Sequence, residues 1–351
     1  MPFHHSNNEA QIIQATATDV LAGALSRHGA KLHLAQTAGL KLPALSRILS
    51  GNHMPSLKTA RRIAPMLPLP AGEQTYWLTL IDAYWKLRRE KAVLPFSGKD
   101  RFDKATFVDL RHRHHFAQFN DHPLGQHVSY ESVYADALDM IAGVSPRLWP
   151  RAFTALCSIL QDCTDMMGHV AESLLWAKRC RHTAQFLNPR EYTSDEQEFA
   201  HDLAVNSVRS EAAMLQKVGL YREAYALCEQ ARHTDGFERD RGYWELQVTR
   251  DQLHALAGIP RFTLSEAEGL ALQARRAAER STHEAIPLLD MLLSRALAKA
   301  YLAHGRPKLA LRELSPVQDR LERIPMAGPV YVAMFWEVWA EAQAALHSAP
   351  A

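Results

Sequence analysis

The chain has 351 residues, 47% of them hydrophobic and 22% charged, with a formal net charge of +2. This balance excludes a disordered polyelectrolyte and fits a globular protein long enough for two or more domains. The charge is unevenly placed: seven of the 40 basic but two of the 38 acidic side chains fall in residues 1–70, giving +5 there and −3 over the remainder.

The opening MPFHHSNNEAQ lacks the basic-then-apolar pattern of a secretory signal, and no apolar run reaches the length of a membrane span, since Glu337 interrupts the longest candidate. The four cysteines, Cys157, Cys163, Cys180 and Cys228, form no CxxC pair and sit in apolar, helix-like surroundings, as buried free thiols of a reducing compartment do. A cytoplasmic protein without membrane contact is expected. Residues 1–10 are polar. Ile13, Val20, Leu21, Ala24 and Leu25 then predict a first helix over about 12–28.

The stretch 34–67, LAQTAGLKLPALSRILSGNHMPSLKTARRIAPML, reads as short helix, tight turn at Gly39, second short helix, stop at Gly51 and a third helix from Ser56. Glycine tolerates the positive φ that both stops require. Leu45, Ile48 and Leu49 make one apolar face of the middle helix, and Ser56 after Pro55 supplies an N-cap. Leu34-Ala35, Ala38-Gly39, Ser46-Arg47-Ile48, Gly51, Pro55-Ser56 and Ile63-Ala64 with Leu67 together make residues 15–68 similar to the lambda-repressor-like (Cro, or xenobiotic-response-element) helix-turn-helix family.

The resemblance implies an N-terminal five-helix domain that binds double-stranded DNA. It implies phosphate or base-edge contacts from Lys31 and His33, and entry into the major groove by Lys41, Leu42, Pro43, Ala44 and Ser46. It also implies backbone contacts from Arg47, Asn52 and His53. Leu42 and Pro43 stand where the family usually carries amides or hydroxyls that read base edges. Leu42 offers only an apolar contact, such as with a thymine methyl, and Pro43 suits the first turn of a helix. Phosphate grip is therefore better supported here than base reading.

After the turn-rich PLPAGEQ, the aromatic pairs Tyr76-Trp77 and Tyr84-Trp85 with Leu80 and Ile81 predict an amphipathic connecting helix with a basic end. Residues 94–126 read as a linker or loose bridge, so the domains divide as 1–70, 71–126 and 127–351. Within that bridge, Arg111-His112-Arg113-His114-His115, with His122 and His127 nearby, admits two readings, a metal site or a basic surface helix. The interleaved arginines and the missing cysteine or carboxylate partner favour the helix.

From Val128 onward helix-sized apolar patterns follow one another at about 128–142, 147–166, 168–187, 194–218, 221–233, 239–257, 264–281, 284–304, 307–323 and 328–346, so the fold class is all-α. Ala212-Ala213, Leu215, Gly219, Tyr221, Ala224 and Ala231 resemble a tetratricopeptide repeat. Ala298, Tyr301, Gly305, Pro307 and Ala310 repeat its spacing, and Leu256-Ala257-Gly258 with Glu266-Ala267 is a poorer copy. The resemblance implies an α-solenoid of degenerate hairpins, their first helices lining a groove. The groove-facing positions it projects are Asn206, Arg209, Ala213, Gln216 and Lys217, then Glu245, Val248 and Gln252, then Leu292, Arg295 and Lys299. Amide and basic groups there suit an extended peptide. Ordinary solvated helix faces are the other reading. The last helix, with Val330, Tyr331, Met334, Phe335, Val338 and Trp339, either caps the repeats or joins two copies.

No phosphate loop, dinucleotide fingerprint, HExxH or nucleophile elbow is present, and no Ser/His or Cys/His set stands at motif spacing. Neither an enzyme nor a cofactor or metal is expected. The whole pattern looks like RRNPP-type regulators of bacteria and phages, which implies a homodimeric transcription regulator sensing a short peptide, as in quorum sensing. A protein-docking adaptor or antitoxin-like module, and a repressor whose repeats serve only dimerisation, stay open.

Overall fold

The computed structural model describes residues 5–26, 30–89, 97–119, 128–188, 192, 194–325 and 327–348. Among them every regular element is helical and no strand occurs. The helices are α1 (His5–Ala24), α2 (Ala30–Thr37), α3 (Leu42–Leu49), α4 (Leu57–Ile63), α5 (Ala71–Arg89), α6 (Lys104–Phe119), α7 (Tyr130–Ala142) and α8 (Pro150–Met166). There follow α9 (Val170–Ala184), α10 (Ser194–Lys217), α11 (Tyr221–Arg232), α12 (Arg241–Ala257), α13 (Leu264–Ala278), α14 (Ile286–Ala303), α15 (Pro307–Gln318) and α16 (Pro329–Ser348). No helix of the described residues is long and apolar enough to cross a membrane.

Local chemistry explains most boundaries. Ser56, Ser129 and Thr263 each accept a hydrogen bond from the backbone N–H three residues on, capping α4, α7 and α13. Proline opens α8 and α15, where its missing N–H costs nothing. Gly39 and Gly51, read as turn and stop, and Gly219 and Gly305, read as repeat positions, all have positive φ. Gly258, in the poorer repeat copy, has ordinary φ and a different reason to be glycine. A Cβ there would stand 2.4 Å from the Tyr221 ring.

Residues 94–126 are not merely a linker, because α6 fills 104–119. Asp103 accepts from the N–H groups of Ala105 and Thr106 at its start, and Phe107 and Leu110 are buried against α7 and α8. Two apolar anchors and one cap were too few to stand out in so basic a stretch.

α5 is built into the N-terminal core. Trp77 donates to the Ala17 carbonyl at 3.0 Å and Trp85 to the Pro55 carbonyl at 2.7 Å, which fixes α1 and the loop before α4. Leu80 and Ile81 join Ile13, Leu21, Leu45 and Ile63 in one cluster that continues into Leu174 of α9, Leu215 of α10 and Val218 just after it. The remaining helices pair as hairpins: α8 with α9, α10 with α11, α12 with α13, α14 with α15. Their first members lie side by side, α8 on α10, α10 on α12 and α12 on α14, and α16 covers α14 and α15 at the end.

Candidate functional site

Two surfaces gather the residues singled out in the sequence. The first surrounds α3. Leu45 and Ile48 hold it to the core, while Lys41, Leu42, Pro43, Ser46 and Arg47 are exposed and Ala44 is half-buried. Leu42 leaves 46% of its surface uncovered. The loop after α3 folds back on it: the N–H groups of Asn52 and His53 both reach the Arg47 carbonyl, and the Asn52 amide donates to Ser50 Oγ at 2.8 Å. Gln14 of α1 donates to the Gly51 carbonyl at 2.6 Å and steadies the loop. Asn52 and His53 are exposed, as are Lys31 and His33 on α2 and Lys58, Arg61 and Arg62 on α4. This face carries cations and no carboxylate from α2, α3 or α4.

The second surface is a cavity of about 600 Å³ adjoining one of about 340 Å³. Both are bounded by His114 and Gln118 of α6, Asp162 of α8, Arg209 of α10 and Tyr243 and Gln247 of α12. Asn206 lines the larger part, and Ala213, Gln216, Lys217, Leu292 and Arg295 line the smaller.

Four of the projected positions do not line the cavity. Glu245, Val248 and Gln252 do not face the cavity. Glu245 is buried and accepts from Arg232 of α11 at 2.8 Å, Gln252 donates to Glu229 of α11, and Val248 lies in a small cluster with Cys228. The cavity side of α12 is Tyr243, Gln247, Arg250 and His254, a stripe displaced around the helix. Glu245 and Gln252 face α11 and find their partners on that helix, Arg232 and Glu229. Lys299 also lies off the wall, one turn beyond Arg295.

Nor is Arg209 available as a free donor. It donates to Asp251 Oδ2 at 2.9 Å and to Asn206 Oδ1 through Nε and Nη2, and Asn206 in turn donates to Ser158 Oγ at 3.2 Å. This chain stitches α8, α10 and α12 together across the cavity floor. Burial alone would raise the Asp251 carboxyl, but Arg250 and Arg209 hold it below the usual range. Arg295 is spent likewise, on the Met334 carbonyl and Glu337 of α16, and Lys217 on Asp165.

Sequence reasoning missed the α6 wall. Arg111, His114, His115 and Gln118 stand at i, i+3, i+4 and i+7, the spacing of one helix face, and all line the cavity. That spacing was the available signal. The Arg111 guanidinium lies 3.9 Å over the Phe199 ring, while Arg113 points away to Asp136 of α7. The basic run is thus divided: Arg111, His114 and His115 line the cavity, Arg113 faces α7, and Arg111, His112 and His115 are exposed, as a basic surface helix requires. Among the described residues no three His, Cys, Asp or Glu side chains could share a metal ion; His122 and His127 lie outside them.

Asp162 sits where the two cavities meet. Burial, reinforced by Asp165 and opposed by Arg209 and Lys217, pushes its carboxyl up to about 7. His114 Nε2 lies 3.5 Å from Asp162 Oδ2, and burial with His115 and Arg111 nearby pushes that imidazole down to about 4. His254 falls to about 3 through burial and the charges of Arg295, Arg250 and Lys299. Both imidazoles are neutral at pH 7. Several buried wall atoms make no hydrogen bond: Gln161 Oε1, Gln216 Oε1, Gln247 Oε1, Ser210 Oγ and His114 Nε2.

No family model matches the chain, and neither a curated protein nor a solved structure matches it.

Proposed function

We propose that this chain is a transcription regulator that grips double-stranded DNA through the α2–α3 face, binds a short peptide between its hairpins, and works as a homodimer. The observation that carries the DNA half is α3 itself. Its apolar side is buried while Lys41, Leu42, Ser46 and Arg47 project from a face with no carboxylate of α2, α3 or α4. The turn and cap residues shared with the lambda-repressor-like helix-turn-helix family support the same reading. The cavity supports the sensing half, because orphaned polar atoms in a wall of this size need partners that the chain does not supply. Exposed Val330, Ala333 and Trp336 on α16 support a surface for the second copy.

The test is retention of DNA from upstream of the protein's own gene, by gel shift at two salt concentrations with random DNA as competitor. Specific retention that weakens with salt is the expected result. A folded protein that retains no DNA at low salt would turn the reading toward a docking module.

A further inference from the structure

The cavity has donors and acceptors in unequal supply. Arg209, Lys217 and Arg295, its strongest donors, are each bound to a carboxylate of the protein, and Arg250 is bound to Asp251. Apart from Arg111, which lies over the Phe199 ring on the wall of the larger cavity, the groups left over at the waist chiefly accept. Three glutamine carbonyl oxygens, those of Gln161, Gln216 and Gln247, have no donor, and the amides of Gln161 and Gln247 are turned to Ser173 and Tyr243. Gln161 and Ser210 are 3% and 2% exposed, so water outside the cavity does not satisfy them. Among the described residues no lysine or arginine is ion-paired to Asp162; Arg209 and Lys217 act on it from further away, while the neutral imidazole of His114 lies 3.5 Å from its carboxylate. An anionic ligand would meet acceptors and a carboxylate here. A neutral apolar ligand would leave the same atoms unpaired.

We infer that the waist of the cavity at Asp162 is a binding site for a multi-donor cation, a guanidinium or a primary ammonium, which lays its charge on the carboxylate and its remaining N–H groups on the glutamine carbonyls. The inference rests on the reading of the cavity as a sensor and names the chemistry it senses. A guanidinium offers five donors in a plane and an ammonium three. Such a group comes from an arginine or lysine side chain of a peptide or from an aliphatic polyamine.

Calorimetric titration of the full chain near pH 8 tests it, with acetyl-Gly-Arg-Gly-amide, its citrulline analogue and spermidine as probes. Citrulline keeps the shape of arginine and removes the charge. The arginine peptide or spermidine should bind about tenfold or more tighter than the citrulline peptide. Binding of the peptide alone assigns the cation to a peptide, and binding of spermidine alone assigns it to a free polyamine. Asp162→Asn should weaken the cation about tenfold, equivalent to about 1.4 kcal/mol, with its fold checked by circular dichroism. Gln247→Leu, which keeps the charge and removes one acceptor, should weaken it about threefold. Equal binding of the citrulline peptide, unchanged affinity in folded Asp162→Asn, or no binding of either cation would overturn the inference. The titration contains no DNA, so its failure and the failure of DNA retention are separate results.

Discussion

Arg209 shows how far the meaning of one residue depends on its neighbours. As a basic residue on a groove-facing stripe it looked like a ligand donor, yet its guanidinium is bound to Asp251 and Asn206 in a site where Asp251 is 3% exposed. Removing one partner of such a pair strands the other charge. Arg209→Ala should therefore cost about 2–4 kcal/mol of stability, Arg250 retaining part of the pairing, whereas Asn206→Ala should cost about 1 kcal/mol. Urea unfolding of the two variants separates the cases, and equal small losses would mean that the stitch across the floor is not structural. Asp162 makes a second prediction, on pH. Its folded pKa of about 7 lies above the unfolded value near 4, so the folded state holds the extra proton in that window and stability falls as pH rises through it. His114 and His254 act in the opposite sense: folded values near 4 and 3 against about 6.5 unfolded make stability rise with pH between about 4 and 6.5. The unfolded imidazoles go on losing protons to about pH 7.5, so the effect of the carboxylate, with Asp165, Arg209, Lys217 and His114 around it, is read as the difference between the wild type and Asp162→Asn. Asp162 by itself should cost the wild type about 1 kcal/mol between pH 6 and 8, set against the gain from the two imidazoles, an estimate discounted because a third of the Asp162 side chain is open to the cavity. Asp162→Asn should abolish that cost, and denaturation midpoints of the two proteins followed against pH read it.

At the scale of elements, the joints between helices are made by arginine and lysine rather than by apolar contact alone. Lys178 and Arg181 of α9 hold Glu211 of α10, Arg232 of α11 holds Glu245 of α12, and Arg275 of α13 holds Asp290 of α14 and Glu313 of α15. Burial alone would raise the Glu211 carboxyl, and Lys178 and Arg181 bring it below the usual range instead. The turn between α10 and α11 is tied to another element as well. Gly219 has φ +81°, and a Cβ there would stand 2.8 Å from the Tyr76 hydroxyl of α5. Gly219→Ala combines left-handed backbone with a collision and should cost about 1–3 kcal/mol. A loss confined to a few tenths would mean that Tyr76 moves aside freely. Thermal unfolding of this variant is the check.

For the whole molecule, the point of interest is how the α3 face and the cavity share structure. Gln216 and Lys217 line the cavity in the last turn of α10, and Leu215 and Val218 beside them belong to the core that holds α1, α3 and α5. Under the proposed function this turn is the place where occupancy of the cavity is felt at the DNA-binding face, provided the two arrangements bind the ligand with different affinity. The division of charge, +5 over residues 1–70, belongs to this scale too. Lys41→Ala and Arg47→Ala should each weaken binding to every DNA sequence alike and lower the slope of log affinity against log salt by about 1. An unchanged slope in both would remove these residues from the phosphate contacts.

The sequence by itself determined the helices, their order and most of their ends. Apolar period, glycine stops, proline starts and Ser or Thr caps act within a few residues, so their signal lies wholly in the local chain. The ten segments read from 128 onward coincide with α7 to α16 within a few residues, save that the reading to 323 ran past the end of α15 at Gln318. The exposed face of α3 was legible for the same reason. Tertiary structure alone decided which polar residues see the cavity. Glu245 and Gln252 share their polarity with Gln247 and Arg250, and only the packing of α11 against α12 turns the first pair inward to partners and the second pair toward the cavity. The α6 helix was under-read because its two buried anchors, Phe107 and Leu110, gain their meaning from α7 and α8. Asp162 was invisible as a site, since one of two carboxylates on an apolar helix acquires a function only from the groups that five other helices bring around it: His114, Tyr130, Arg209, Gln247 and Tyr331. Local pattern fixes where the backbone hydrogen-bonds to itself, and long-range packing fixes what each side chain meets.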